Sequence, residues 1–578
     1  MRIDLSYAPK LNLSNYKDVN KTTDVIDYKT GQVLRSSVGM LVNYANLNEV
    51  RDRTREDDIN LLANYSKELG KSSINVLGGF QYLTNYFNSI SAYRQVNNFQ
   101  QFEEINAYDP TGMTNGGYSN EWALMSYFGR LNYAYASKYL FEANIRYDGS
   151  SRFANGYKWG LFPSFSAAWR FSSEGFISNL SWLNNGKLRA SWGELGNQSG
   201  LGSNYPFALN VATNQYTVFG GVLNPGYAPV NFALNNITWE STRMLDFGID
   251  LGFLNGKVDL TFDWYKKDTR DILLNIAIPG VMGYANSPKQ NAGSVENIGW
   301  DLSISHNNTF GDFNYRITGI LSDVQNKITN LGGLAPQVNG VHVKKVGDPI
   351  DALYGYVADG YFSSFAEARA HTVAQWGKLQ GGDIRYIDQL TVDTDGDGKP
   401  DAGDAKMTGD DRVVLGNPIP RYSFSLDLFG SYKGFDLAVF VQGVGKRDGY
   451  ISGWLAYPFS NASTLLVQHL DRWNEANPNP NAAYPRLSIN QHSNNTQASS
   501  FWQVSAAYMR LKNLQVGYTF PKTWFEKKGI SGLRIYANGN NLFTMSKMPI
   551  GMDPESPESV QNSYPLIATY TFGVEVKF

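Results

Sequence analysis

The sharpest chemical pattern in the chain is Asp393-Thr-Asp395-Gly-Asp397-Gly398-Lys399-Pro-Asp401-Ala-Gly-Asp404. Counted from Asp393, acids stand at positions 1, 3, 5, 9 and 12 and a glycine at position 6, the spacing of an EF-hand loop. Ca²⁺ takes about six to eight oxygens at about 2.3–2.6 Å, and alternating aspartates around a sharp glycine turn deliver them. The expected ligands are Asp393, Asp395, Asp397, the backbone carbonyl of Lys399, Asp401 and Asp404. Position 12 is aspartate where glutamate is usual, which shortens the bidentate reach. No amphipathic helix pattern flanks the loop, so the expectation is a structural Ca²⁺ bracing a connection, not a sensor. The competing reading is a solvated acidic loop tip.

Little else has the spacing of a catalytic or metal centre. The five histidines, His306, His342, His371, His469 and His492, show neither HxH nor HxxxH spacing, so no zinc site is expected. Cysteine is absent, which removes disulfides, thiolate metal sites and thiol catalysis. There is no GxSxG, and Gly443-Val-Gly445-Lys446-Arg447 lacks the spacing of a phosphate loop. Loop carboxylate pairs such as Asp410-Asp411 do not single out an acid and a base. The chain therefore reads as a non-enzyme. Trp376, Trp454, Tyr457, Trp473 and Trp502 lie in long polar connections and have the chemistry to stack on sugars. Loop packing is the stronger reading of each, so substrate-binding residues stay unassigned.

The elements that would carry these loops have a period of two. Tyr139, Phe141, Ala143, Ile145 and Tyr147 share one face, against Glu142, Asn144, Arg146 and Asp148. Leu245 to Phe253, Val258 to Trp264, Trp300–Ser305, Tyr422–Leu428, Phe435–Val441 and Tyr570 to Phe578 repeat the alternation, which is strand periodicity. Tight turns are expected at Gly70-Lys71, Ser137-Lys138, Asn255-Gly256, Gly311-Asp312 and Lys433-Gly434. Long polar connections are expected near 85–122, 149–160, 195–242, 268–294, 324–418, 445–507 and 543–567, with medium ones near 172–186 and 520–531. Short and long connections thus alternate, the arrangement of an up-and-down membrane barrel. About 17 strands are expected, within about two. With the last strand descending to the short-turn side, an odd count makes the first descend as well, which would place further strands upstream. The connection 324–418, holding the acidic segment 393–404, is expected to be external and to lack a core of its own, so that metal would offset its ordering entropy.

Composition fits a membrane β-barrel. Aromatic residues make up 14% of 578 residues, and they gather at strand ends (Trp159, Phe162, Trp169, Phe171; Trp264, Tyr265; Tyr518, Phe520) as in interfacial girdles. The net charge of −2 gives no basic field for nucleic acid. No stretch approaches the roughly 18 apolar residues of a membrane helix. The start, Met1-Arg-Ile-Asp-Leu-Ser, has neither the apolar core nor the cleavage site of a signal peptide.

Several segments resemble the SusC/RagA-type TonB-dependent outer-membrane transporters. They are Asn236-Ile-Thr-Trp239-Glu240, Phe262-Asp-Trp-Tyr265-Lys-Lys-Asp-Thr269-Arg-Asp271, Gly293-Ser-Val-Glu296-Asn297-Ile-Gly299, Gly416-Asn417-Pro418-Ile-Pro420-Arg-Tyr and Tyr432-Lys-Gly434-Phe435-Asp436. Tyr508-Met-Arg510-Leu511-Lys512-Asn513, Arg534-Ile-Tyr536, Asn540-Asn541-Leu542-Phe543, Asp553-Pro554-Glu555 and the ending Tyr570 to Phe578 follow in order. The specific words lie in residues 230–578; residues 1–230 match in style alone. The resemblance implies an all-β, transmembrane, antiparallel up-and-down barrel in the cell outer membrane, about 17 strands of a full set of about 22. It implies import of glycan or peptide fragments, a SusD-like surface lipoprotein as lid, and a TonB complex acting through an N-terminal box. No plug, TonB box or signal peptide is found, so residues 1–578 read as a partial barrel domain with the plug absent. The alternatives are a passive porin-like channel and a soluble β-rich glycan-binding protein.

Overall fold

The computed structural model describes residues 1–20, 25–26, 33–34, 46–95, 102–177, 180–229, 231, 233–279, 281, 287–460, 464–525, 529–558 and 566–578. Sixteen long strands follow one another in the sheet in chain order. They are β1 (Arg2–Asn20), β2 (Asn46–Leu69), β3 (Ser72–Gln95), β4 (Thr114–Tyr135), β5 (Tyr139–Ser150), β6 (Trp159–Trp169), β7 (Leu183–Asn197) and β8 (Glu240–Phe253). Then come β9 (Val258–Asn275), β10 (Lys289–Phe310), β11 (Phe313–Leu331), β12 (Arg421–Tyr432), β13 (Phe435–Lys446), β14 (Tyr508–Thr519), β15 (Gly532–Ser546) and β16 (Thr569–Lys577). The tight turns fall where glycine, asparagine and lysine were expected to make them; Asn255, Lys433, Gly70, Gly256, Gly311 and Gly434 all have positive φ. No helix among the described residues is long and apolar enough to cross a membrane.

Two expectations change. The strands run well past the expected loop edges: β3 and β4 pair from Ser72↔Tyr135 up to Tyr93↔Thr114, inside what read as the connection 85–122. Their upper parts keep the period of two with polar residues on both faces, which hides strand from an apolar/polar reading. The count among the described residues is sixteen, and β1 pairs antiparallel with β2, which itself runs down to the turn at Gly70. The first strand therefore runs toward the long connections, opposite to the parity expectation. Alternation marks faces and not ends, so only the ladders fix the count.

Contacts divide the chain into two units. One is Met1–Ser166, Gly193–Ser241 and Asn275–Asn291; the other is Ala167–Trp192, Thr242–Leu274 and Ala292–Phe578. In the first, β1 to β5 form continuous antiparallel ladders. On β5 the apolar residues are the exposed ones: Tyr139, Phe141, Ile145 and Tyr147 lie open while Glu142, Asn144, Arg146 and Asp148 are half-buried. Arg146 crosses the polar face, its Nε 2.9 Å from Asp148 Oδ2 and its Nη2 2.8 Å from Ser126 Oγ. In the second unit, Arg189 on β7 reaches Asp250 on β8 at 2.9 Å and Asp263 on β9 at 2.8 Å. On β5 the apolar face is thus the exposed one and the charged face the shielded one, the reverse of a soluble sheet. Each large apolar side chain left in water forgoes about 1.5–3 kcal/mol, so this face requires lipid.

Candidate functional site

The connections after β11 and β13 fold together, which corrects the expectation that the first lacks a core. Residues 332–420 supply Leu353, Tyr356, Tyr361, Ile384, Tyr386 and Met407, and residues 447–507 supply Tyr450, Ile451, Leu455, Trp473, Tyr484 and Trp502. A small sheet of Gln337–Asn339, His342–Lys344, Ala352–Gly355 and Val413–Gly416 frames it. Buried polar groups tie the two connections. Asp383, fully buried, accepts from Arg486 Nε at 2.7 Å, Asn495 Nδ2 at 2.9 Å and the Gln380 amide at 2.8 Å. The Tyr386 hydroxyl donates to Asn494 O at 2.8 Å, and Trp502 Nε1 donates to Asn495 O at 2.9 Å. Burial raises the Tyr361, Tyr386 and Tyr450 hydroxyls above their ordinary range and pushes Tyr457 up to about 12. The five loop aromatics separate accordingly. Trp473 and Trp502 are core, Trp376 and Tyr457 pack against it, and Trp454 is left more than a third exposed.

On this cap the segment 393–404 forms an exposed turn. Gly396 and Gly398 take φ of +79° and +86°, conformations that favour glycine. Asp393 accepts from the Gly396 amide at 2.7 Å and the Gly398 amide at 2.8 Å, and these donors hold its carboxyl below the ordinary range. One carboxylate oxygen from each of Asp393, Asp395 and Asp397 lies within 4.8 Å of the others. Asp401 is drawn aside by the Thr394 hydroxyl at 2.7 Å and the Thr394 amide, which lower its carboxyl too. Asp404 accepts from the Lys406 amide, and Lys399 donates its amide to Asp397. The structure thus gathers three of the six expected ligands, and this is the one acidic or histidine cluster of metal-holding geometry among the described residues. His469 is spent on packing, bonded by the Leu466 amide and the Leu455 carbonyl.

The family described as TonB dependent receptor-like, beta-barrel matches residues 2–542. The chain belongs to that family. It is 31% identical over 92% of its length to TonB-dependent receptor P3 of Formosa agariphila, covering 53% of that protein. It is 27% identical over 99% of its length to TonB-dependent receptor SusC of Bacteroides thetaiotaomicron, covering 54% of it. The RagAB peptide transporter structure superposes on the whole chain with a TM-score of 0.80 at 22% identity, the chain covering 60% of the matched partner, which shows a shared fold. The chain thus spans about half the length of the curated relatives it matches.

A TonB-dependent receptor barrel is an outer-membrane protein, and the exposed apolar face is the one its strands turn to lipid. Above the strands of this receptor barrel, a further contact ties a third connection to the cap. His342 Nδ1 sits 2.9 Å from the Asp351 carbonyl and Nε2 3.1 Å from Glu558 Oε2. Both ring nitrogens face acceptors, and Glu558, chiefly, raises the imidazole above its usual value. Lys344 and Asp351 are the other charged groups beside it. A raised folded-state value means that this tether contributes fully below about pH 6.5, the unfolded value, and weakens as pH rises through the raised one. Proteolysis of the connection after β15 is therefore expected to be slower at pH 6 than at pH 8.5. The difference should vanish in Glu558→Gln; an equal difference in that variant would refute the tether.

Proposed function

We propose that this chain is part of the barrel, with an external cap, of a TonB-dependent importer of glycan or peptide fragments. The observation that carries the reading is the pairing of a lipid-facing apolar surface with a polar, ion-paired face beneath connections that have their own core. Kinship to SusC and the fold shared with the RagAB peptide transporter support it. In this reading a SusD-like surface lipoprotein covers the long connections, and a TonB complex acts from the short-turn side. Of the five loop aromatics singled out from the sequence, Trp454 is the exposed one, free to meet a sugar or peptide. Deleting the gene from its host should abolish uptake of labelled oligosaccharide or peptide, and a protonophore should abolish it in the parent. Uptake that survives the protonophore, with steady conductance of the purified protein in bilayers, would instead identify a passive channel.

The acidic turn is proposed to bind Ca²⁺ through Asp393, Asp395 and Asp397, with Asp401, Asp404 and the Lys399 carbonyl completing the shell. Three converging carboxylates fit a hard cation, and the amides on Asp393 keep it charged into mild acid. Calorimetric titration should show Ca²⁺ binding that Asp395→Ala or Asp397→Ala weakens at least about tenfold, since each removes a carboxylate ligand. Affinity should persist down to the ordinary carboxylate range near pH 4. Absence of heat in the parent would leave the turn as a solvated tip.

A further inference from the structure

Strand β2 places Arg51, Arg53 and Arg55 at alternate positions, hence on one face. Ile59, Leu61 and Tyr65 lie exposed on the same face, so the arginines continue the lipid-facing side toward the long connections. On that face the apolar run from Ile59 ends at exposed Lys67, eight residues on, which at about 3.3 Å per residue and a tilt near 40° spans about 20 Å, most of the roughly 25 Å height of a barrel's apolar band. Rings mark its upper rim: Tyr7 and Tyr82 stand opposite Ile59, Phe80 meets Tyr127 at 5.3 Å, and Trp159 stacks on Tyr147 at 4.7 Å. The arginines stand just beyond that rim, at the level of the outer-leaflet headgroups.

Their partners differ. Arg55 Nε is 2.8 Å from Asp57 Oδ2, and the Tyr7 hydroxyl donates to Asp57 at 2.7 Å. Arg51 is 3.0 Å from Glu49. Arg53 has no ion pair or hydrogen bond among the described residues, so the row of three cations and two acids keeps one unmatched positive charge, at Arg53. An open cleft of about 400 Å³ lies there, lined by Arg53, Arg55, Asp57 and Tyr86. Exposed Leu11 and Leu13 stand opposite Arg55 and Arg53 on β1. A guanidinium fork matches a phosphate bidentately, and the flanking leucines add apolar surface. Asp57, engaged by both Arg55 and Tyr7, is the acid that lines the cleft, and Glu49 on Arg51 is the second acid the ligand must tolerate.

We propose that this arginine row is a binding site for the phosphate of an outer-leaflet glycolipid headgroup, held by Arg53 with Arg51 and Arg55 beside it. The test is titration of the purified full chain in detergent with monophosphorylated lipid A, its dephosphorylated form and inorganic phosphate. The parent should bind the phosphorylated lipid at least about tenfold more tightly than the dephosphorylated one. Arg53→Gln should erase that preference and Arg53→Lys should restore part of it, with heat-modified gel mobility confirming that each variant is folded. Equal binding of the two lipids, or an unchanged preference in Arg53→Gln, would overturn the proposal. Inorganic phosphate binding as tightly as the lipid would overturn the lipid assignment.

Discussion

Replacing Asp383 by alanine is expected to unfold the external cap while leaving the strand ladders intact. Asp383 is fully buried and joins the two connections: Arg486 and Asn495 approach it from one, the Gln380 amide from its own. Removing it leaves the Arg486 guanidinium, itself mostly shielded, with no counter-charge. Breaking one side of a buried pair costs about 3–5 kcal/mol, a large part of the ~5–15 kcal/mol that holds an ordinary domain folded. Limited proteolysis should then cut within 332–420 and 447–507, while unheated gel mobility shows the barrel unchanged. Substituting both partners with apolar residues, Asp383→Leu with Arg486→Met, should recover much of the resistance, because no orphaned charge remains. Resistance unchanged in Asp383→Ala would mean that the cap does not depend on this junction.

That junction also marks where reading the sequence stops. The strands were legible because a lipid-facing strand must alternate oily and polar residues over ten or more positions, and no loop imitates that by accident. The tight turns were legible because glycine and asparagine at positive φ leave a local trace. The family words were legible for a physical reason that the structure supplies: many of them touch. Asp436 of one word takes the Arg534 fork of another at 2.6 Å and 3.0 Å. Lys266 meets Glu296 at 2.5 Å. Gly299 lies where a Cβ would strike the Tyr265 hydroxyl. The cap was not legible, since Asp383 and Asn495 lie more than a hundred residues apart and neither has a local pattern. An isolated aspartate in a polar connection looks the same whether it faces water or a buried arginine. The acidic turn was half legible: its spacing foretold the convergence of Asp393, Asp395 and Asp397, but the Thr394 hydroxyl that draws Asp401 aside does not follow from ligand spacing.

The same logic predicts a second large effect, at Arg510. This side chain near the top of β14 is only 4% exposed. Its Nη2 lies 3.0 Å from Asp553, its Nη1 binds Glu555, and its Nε donates to Thr544 Oγ1 at 2.8 Å. Lys512 adds a 2.6 Å contact to Glu555, and Arg447 donates to the Glu555 carbonyl at 3.1 Å. Two of the family words, Tyr508 to Asn513 and Asp553-Pro554-Glu555, are therefore the two halves of one staple, which fastens the connection after β15 against the strand before it. Arg510→Ala should cost about 3–5 kcal/mol locally, raising amide hydrogen exchange across residues 549–558 by at least about a hundredfold, since each 1.4 kcal/mol is tenfold. Arg510→Lys keeps the charge and loses the fork, so it should fall between. Because Glu558 follows directly on this staple, its release should also remove the pH dependence that His342 confers, whereas Glu558→Gln should remove that dependence and leave the exchange of 549–555 nearly unchanged. Exchange that stays at the parent rate in Arg510→Ala would assign the fastening to Lys512 and Arg447 instead.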